Sequence, residues 1–214
     1  MLASTPQEAP LGTAWLEASL EPRDATELSE HAIGEFCAQH TNAQVARSAA
    51  PGGGIVPHMT LWYIGAVTES MLDGLVAAAR EANTAERVLA LLDARPGTVR
   101  LEHPFPNHIA LRYATQDDDK LRAALGNLFD TATTAGVFAT HKAKITPYSQ
   151  PLTPHLTLFE HSSRENAAAH FADLRANGSM EHVAASWQAL HFGRAHLAVR
   201  DKRPGFEGLR YVEL

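Results

Sequence analysis

A duplicated α+β fold, with two lobes of antiparallel sheet around a central cleft, is the architecture this sequence predicts. Three observations predict it. Each half of the chain runs strand, helix, strand, helix, strand by the periods of its apolar residues. Two six-residue segments, Pro57 to Trp62 and Pro154 to Phe159, share one formula: Pro, His, apolar, Thr, Leu, aromatic. They lie 97 residues apart, at matching places in the two halves. Duplication would set equivalent strands about a pseudo-twofold axis, so that the two histidines face one cleft. A single bilobal domain is expected over residues 1–214, its halves about 12–100 and about 101–214.

The elements follow in order. Residues 14–20 (AWLEASL) read as a strand ending at Glu21-Pro22. Asp24 suits an N-cap, and helical spacing runs on to about His40. Residues 49–54 (AAPGGG) are a loop, since three glycines do not sustain a helix. Val56 to Ile64 is β-branched and aromatic, which favours a strand. Thr68 to Ala82 reads as a helix, and Glu86 to Asp93 as a strand.

The second half repeats the order. Asn107 to Ala114 is a strand, and Asp117 to about Ala135 a helix whose first-turn acids suit its dipole. A loop covers 136–153, and Pro154 to Glu160 is a strand. A helix follows from Ser162 to Asn177, with Ser162 or Ser163 as N-cap and Gly178 as its stop. Trp187 to Arg200 is strand-like, and Leu209 to Leu214 reads as an edge strand.

Composition bounds the function. The chain of 214 residues is 45% apolar and 20% charged, as in ordinary globular proteins, and no apolar run approaches a membrane span. Met1 to Pro10 lacks the features of a secretory signal, and Cys37 is the sole cysteine, so a cytoplasmic setting without disulfides is expected. A net charge of −6 argues against tracking along long duplex nucleic acid. The local basic spots, Lys142 with Lys144, and Arg194, Arg200, Lys202 and Arg203, read as solvated surface. A small phosphorylated nucleotide or an RNA end fits better, bound by a monomer.

The paired motifs carry the chemistry. With 12 histidines, about one or two chance matches to histidine-x-hydroxyl are expected, and His161-Ser162-Ser163 is taken as one, at a strand-to-helix turn. Two full six-residue copies are another matter. Residues i and i+2 of a strand share a face, so His58 lies with Thr60 and His155 with Thr157, their apolar neighbours backing into a core. By the same count Trp62 and Phe159 fall on the histidine face, where they could stack on a base or line the wall. Breaking a P–O bond requires one group to take a proton from the attacking oxygen and another to give one to the leaving oxygen. Histidine titrates near neutral pH, so one of a pair can be neutral while the other is charged. The threonine hydroxyls can donate to the nonbridging oxygens. No metal or other cofactor is needed, and the motif lacks the carboxylates of a magnesium site.

These paired His-x-Thr strands in a duplicated α+β chain resemble the 2H phosphoesterase superfamily, which includes 2′-5′ RNA ligase-like proteins and cyclic nucleotide phosphodiesterases. The resemblance covers about residues 12–200; only the six-residue motifs are specific. It implies a bilobal fold with catalytic residues at His58, Thr60, His155 and Thr157. It also implies a reaction that opens 2′,3′-cyclic or ADP-ribose cyclic phosphates, or cleaves or joins 2′,5′ linkages. The long 136–153 loop is a local departure and leaves the substrate open.

Tyr148, Lys142 and Lys144 precede the second motif and could reach a phosphate or base, although ordinary loop residues would look the same. Arg112 and Arg200 on strands could enter the cleft, although surface ion pairs are the simpler reading, and His108, His191 and His196 read as packed, hydrogen-bonded histidines. The Gly52–Gly54 run precedes a strand and lacks a following Gly-Lys-Ser/Thr, which excludes a P-loop. The remaining alternatives are a binding protein that retains the cleft without turnover and a histidine-rich metal protein. The histidine spacings do not form a compact ligand set for the latter.

Overall fold

The computed structural model describes residues 8–20, 44–45, 58–93, 98–105, 107–114, 118–139, 155–176, 178, 191–203 and 208–214. Gly12–Leu20 forms β1, and Gln44–Val45 the two-residue β2. His58–Val67 forms β3. Helices Glu69–Glu81 (α1) and Thr84–Asp93 (α2) follow, then Thr98–Phe105 (β4) and His108–Ala114 (β5). Asp118–Thr134 is α3, His155–Glu160 is β6 and Arg164–Ala176 is α4. Phe192–Asp201 (β7) and Gly208–Glu213 (β8) complete the chain.

All strand pairs are antiparallel, in the order β4-β5-β6-β3-β1-β7-β8, with β2 beside β6. The order is nearly a palindrome. β1 and β5 begin the two halves, β3 and β6 carry the motifs, and β4 and β7 close the halves. Each closing strand pairs with the opening strand of the other half: β4 with β5, and β7 with β1. The halves thus exchange their last strands, and neither completes a sheet alone.

The helices form for local reasons. The Thr68 hydroxyl accepts from the Met71 amide at 3.3 Å and caps α1. Met71, Leu72, Leu75, Val76 and Ala79 recur at helical spacing and are buried. Helix α3 ends in a Schellman turn. Gly136, at φ +75°, donates to the Thr133 carbonyl, and Val137 donates to that of Ala132. Val137 is thereby carried onto α1 at Gly74, where a Cβ would come within 2.7 Å of the valine. The Ser163 hydroxyl accepts from the Asn166 amide at 3.2 Å, so Ser163 is the cap of α4, and Gly178 follows at φ +67°.

Two expectations are corrected. Residues 86–93 lie in α2 and are not a strand. Its buried residues Thr84, Val88 and Leu92 recur every four positions, a helical stripe. Asn83 at φ +50° makes the turn that separates α2 from α1, and its side chain donates to Glu86 at 2.6 Å. The first half closes instead with β4, which the prolines around it conceal in sequence; a proline is tolerated there because β4 is an edge strand. The helix expected after Asp24, the 49–54 loop, Trp187 to Leu190 and residues 140–154 lie outside the described residues. Among the described residues, no helix is long and apolar enough to cross a membrane.

Candidate active site

Among the described residues, the two sheet halves meet at the pair Thr60 and His155. An antiparallel register continued from that pair sets His58 opposite Thr157. The pseudo-twofold axis therefore passes between Met59 and Leu156. Directly opposed residues share a face, so all four motif side chains project to the same side. His58 and His155 are diagonal neighbours with Cα atoms about 7–8 Å apart, a separation that leaves room for a phosphate between the rings. All four residues are half-buried, while Met59 and Leu156 are buried in the core behind them.

Both motif strands contain a one-residue bulge at the same place. On β3, Thr60 opposes Glu17 and Trp62 opposes Leu16, so Leu61 is the extra residue. On β6, Thr157 opposes Ala110 and Phe159 opposes Ile109, so Leu158 is the extra residue. A bulge shifts the alternation by one and sends the next side chain to the other face. Trp62 and Phe159 accordingly do not line the histidine face, correcting the expectation from simple alternation. Trp62 is 3% exposed and meets Phe129 and Phe138 edge-on at 6.0 and 6.5 Å. Phe159, 2% exposed, meets the His170 ring on α4 at 5.1 Å. Lys144 and Tyr148 lie outside the described residues.

A continuous row crosses the sheet through the central pair: Arg112 on β5, His155, Thr60, Glu17 on β1 and His196 on β7. Glu17 is fully buried. Its Oε2 lies 3.1 Å from His58 Nε2, and its Oε1 lies 2.8 Å from His196 Nε2. Trp15 Nε1 also donates to Oε2. Ser19, opposite His58, has its hydroxyl 3.3 Å from His196 Nε2, and the His196 ring rests edge-on against Tyr211 at 4.7 Å. Both imidazole Nε2 atoms thus lie within hydrogen-bond distance of the Glu17 carboxyl group. These contacts offset the cost of burying it.

Sequence reasoning missed Glu17. Its signal was present: a lone carboxylate on the strand face opposite Ala14, Leu16 and Ala18. His196 is the packed, hydrogen-bonded strand histidine expected. Arg112 stands beside His155 on the motif face rather than apart from it, whereas Arg200 is exposed and lies 6.0 Å over the Trp15 ring. His161 and His170 are hydrogen-bonded to each other at 3.0 Å, away from the motif face. Among the described residues, no group of three or more His, Cys, Asp or Glu could hold a metal ion.

The class these features define is an α+β protein with duplicated His-x-Thr strands about a pseudo-twofold axis. No family model matches the chain, and no curated protein matches it. Among solved structures it is similar to E. coli LigT complexed with 3′-AMP, at 14% identity and TM-score 0.47 over 96% of each chain. A structure described only as a phosphoesterase gives 14% identity and TM-score 0.49 over 95% of each chain. Kluyveromyces marxianus Usb1 with uridine monophosphate gives 10% and 0.43, over 95% of this chain and 98% of the other.

Proposed function

We propose that this chain is a metal-independent phosphodiesterase acting on a cyclic phosphate or a 2′-linked terminus of a small nucleotide or RNA. The observation that carries the reading is Thr60 directly opposite His155, a register that, continued, sets His58 opposite Thr157 and brings all four side chains to one face about one axis. A phosphate seated over the axis meets an imidazole on either side and a hydroxyl on either side. One imidazole takes a proton from water as its oxygen bonds to phosphorus. The other gives a proton to the oxygen whose P–O bond breaks. The hydroxyls of Thr60 and Thr157 donate to the nonbridging oxygens, where charge accumulates. The resemblance of the motifs to 2H phosphoesterases points the same way.

The test is turnover in EDTA across 2′,3′-cyclic nucleotides, ADP-ribose 1″,2″-cyclic phosphate, and 2′,5′- and 3′,5′-linked oligoadenylates. Hydrolysis of one class is expected, with either His58→Ala or His155→Ala lowering it by about 100-fold or more. Full activity in either variant overturns the mechanism. Binding without turnover across the panel overturns the enzyme reading in favour of a nucleotide-binding protein.

A further inference from the structure

The aromatic side chains on the histidine face are not those of the motifs themselves. Along β1, Ala14, Leu16 and Ala18 turn into the core, so Trp15, Glu17 and Ser19 share the opposite face, which is that of His58 and Thr60. Trp15 stands opposite Tyr63 on β3 and Ala198 on β7, and Ala198 stands opposite Tyr211 on β8. Trp15, Tyr63 and Tyr211 are half-buried. They form a row parallel to that of Glu17 and about 7 Å along the strands from it, a step that a ribose spans. The Trp15 indole is held by its hydrogen bond to Glu17 Oε2, so its plane is set before anything binds. Exposed Arg200 carries its guanidinium 6.0 Å over that ring. A flat ring inserted between the two needs about 7 Å, two contacts of about 3.5 Å each, so the arginine side chain has only to lift by about 1 Å. Nucleobases stack on aromatic rings and on guanidinium planes alike. The pseudo-twofold axis does not repeat this seat, because the place of Trp15 on β1 is held on β5 by His108.

We propose that Trp15, with Tyr63 beside it and Arg200 above it, is a nucleobase seat, and that substrate binds with its base over the first half of the chain and its scissile phosphate on the axis. The inference rests on the phosphodiesterase reading above and narrows it. The substrate must carry a base one ribose away from the phosphorus under attack. A nucleoside 2′,3′-cyclic phosphate or an RNA end meets that condition. ADP-ribose 1″,2″-cyclic phosphate does not, since a second ribose and a diphosphate separate its adenine from the cyclic phosphate.

The test compares adenosine 2′,3′-cyclic phosphate with methyl ribofuranoside 2,3-cyclic phosphate, the same reacting ring without a base. In the wild type, kcat/KM is expected to be about 10-fold or more higher on the nucleotide. Trp15→Leu should shrink that ratio by about 10-fold, and Arg200→Ala by about 3-fold. The ratio is the readout because loss of the indole also frees Glu17, which slows both substrates alike. His108→Ala is expected to leave the ratio as it is. Equal kcat/KM on both substrates in the wild type, or a ratio that neither variant changes, overturns the seat and leaves the phosphodiesterase reading standing. A ratio that falls in His108→Ala and not in Trp15→Leu places the base over the second half and overturns it too. Should Trp15→Leu fail to fold, Arg200→Ala, at an exposed position, carries the comparison. A wild type that turns over neither substrate removes the phosphodiesterase reading, and calorimetry with adenosine 3′-phosphate and ribose 3-phosphate then decides the seat. Tighter binding of the nucleotide, weakened in Arg200→Ala, supports it, and equal binding overturns it.

Discussion

The four motif residues were legible in the sequence because two copies of one rare formula stood at equivalent places. The aromatic at the end of each formula was not legible as to its face. Period-two counting assumes a regular pleat, and the bulges at Leu61 and Leu158 break it one residue before Trp62 and Phe159. Removing Trp62 should therefore behave as a core deletion. Trp62→Ala is expected to lower unfolding free energy by about 3–5 kcal/mol, measured by urea titration, while KM at permissive temperature stays unchanged. A raised KM without loss of stability would return the indole to the substrate face. The buried Glu17 sets an expectation for His58 as well. His58→Ala leaves the buried Glu17 short of one partner, a cost of about 1–3 kcal/mol, and so is not neutral to stability.

Among elements, the helices were the more readable. Caps at Thr68 and Ser163 and stops at Gly136 and Gly178 are written in residue types with one dominant reason to be there. The strand–helix confusion at 86–93 arose because Val88 to Leu92 is apolar at nearly every position, so only the burial of Val88 and Leu92 reveals the period. The end of β7 is tied to α1 by charge, which no spacing rule announces. Asp201 binds Arg203 through both carboxylate oxygens, and Glu69 on α1 meets Arg210 at 2.9 Å and Arg203 at 3.8 Å. The hydrogen bond from Arg203 holds the Asp201 carboxyl below the ordinary aspartate value of 3.8. A lowered folded value means that this contribution to stability is complete above the ordinary value and is lost as pH falls through the lowered one. Wild type and Arg203→Gln should therefore differ in thermal stability at neutral pH, and the difference should shrink as the buffer is taken below about pH 4. A difference constant across that range would show that Asp201 is not the group responsible.

At the scale of the whole molecule, the α+β class, the two-copy architecture and the shared face of the histidines followed from the order of elements. The exchange of closing strands did not, because nothing local in β4 or β7 names its partner; pairing is decided by which sheet edge lies within reach. The exchange has a measurable outcome. Fragments 1–106 and 107–214, expressed separately, each lack a strand that belongs beside their own opening strand. Each is expected to show little cooperative unfolding by circular dichroism, and an equimolar mixture to regain it. Independent folding of either fragment would contradict the exchanged topology.

That topology has a historical reading. One half alone, pairing with a second copy of itself about the same axis and swapping its last strand, would already bring two histidines and two threonines to one face. A symmetric homodimer of that kind could carry only identical neighbours around its two imidazoles. In one chain the two sides are free to differ, and β1 carries the Glu17 carboxyl group at the place that Ala110 holds on β5.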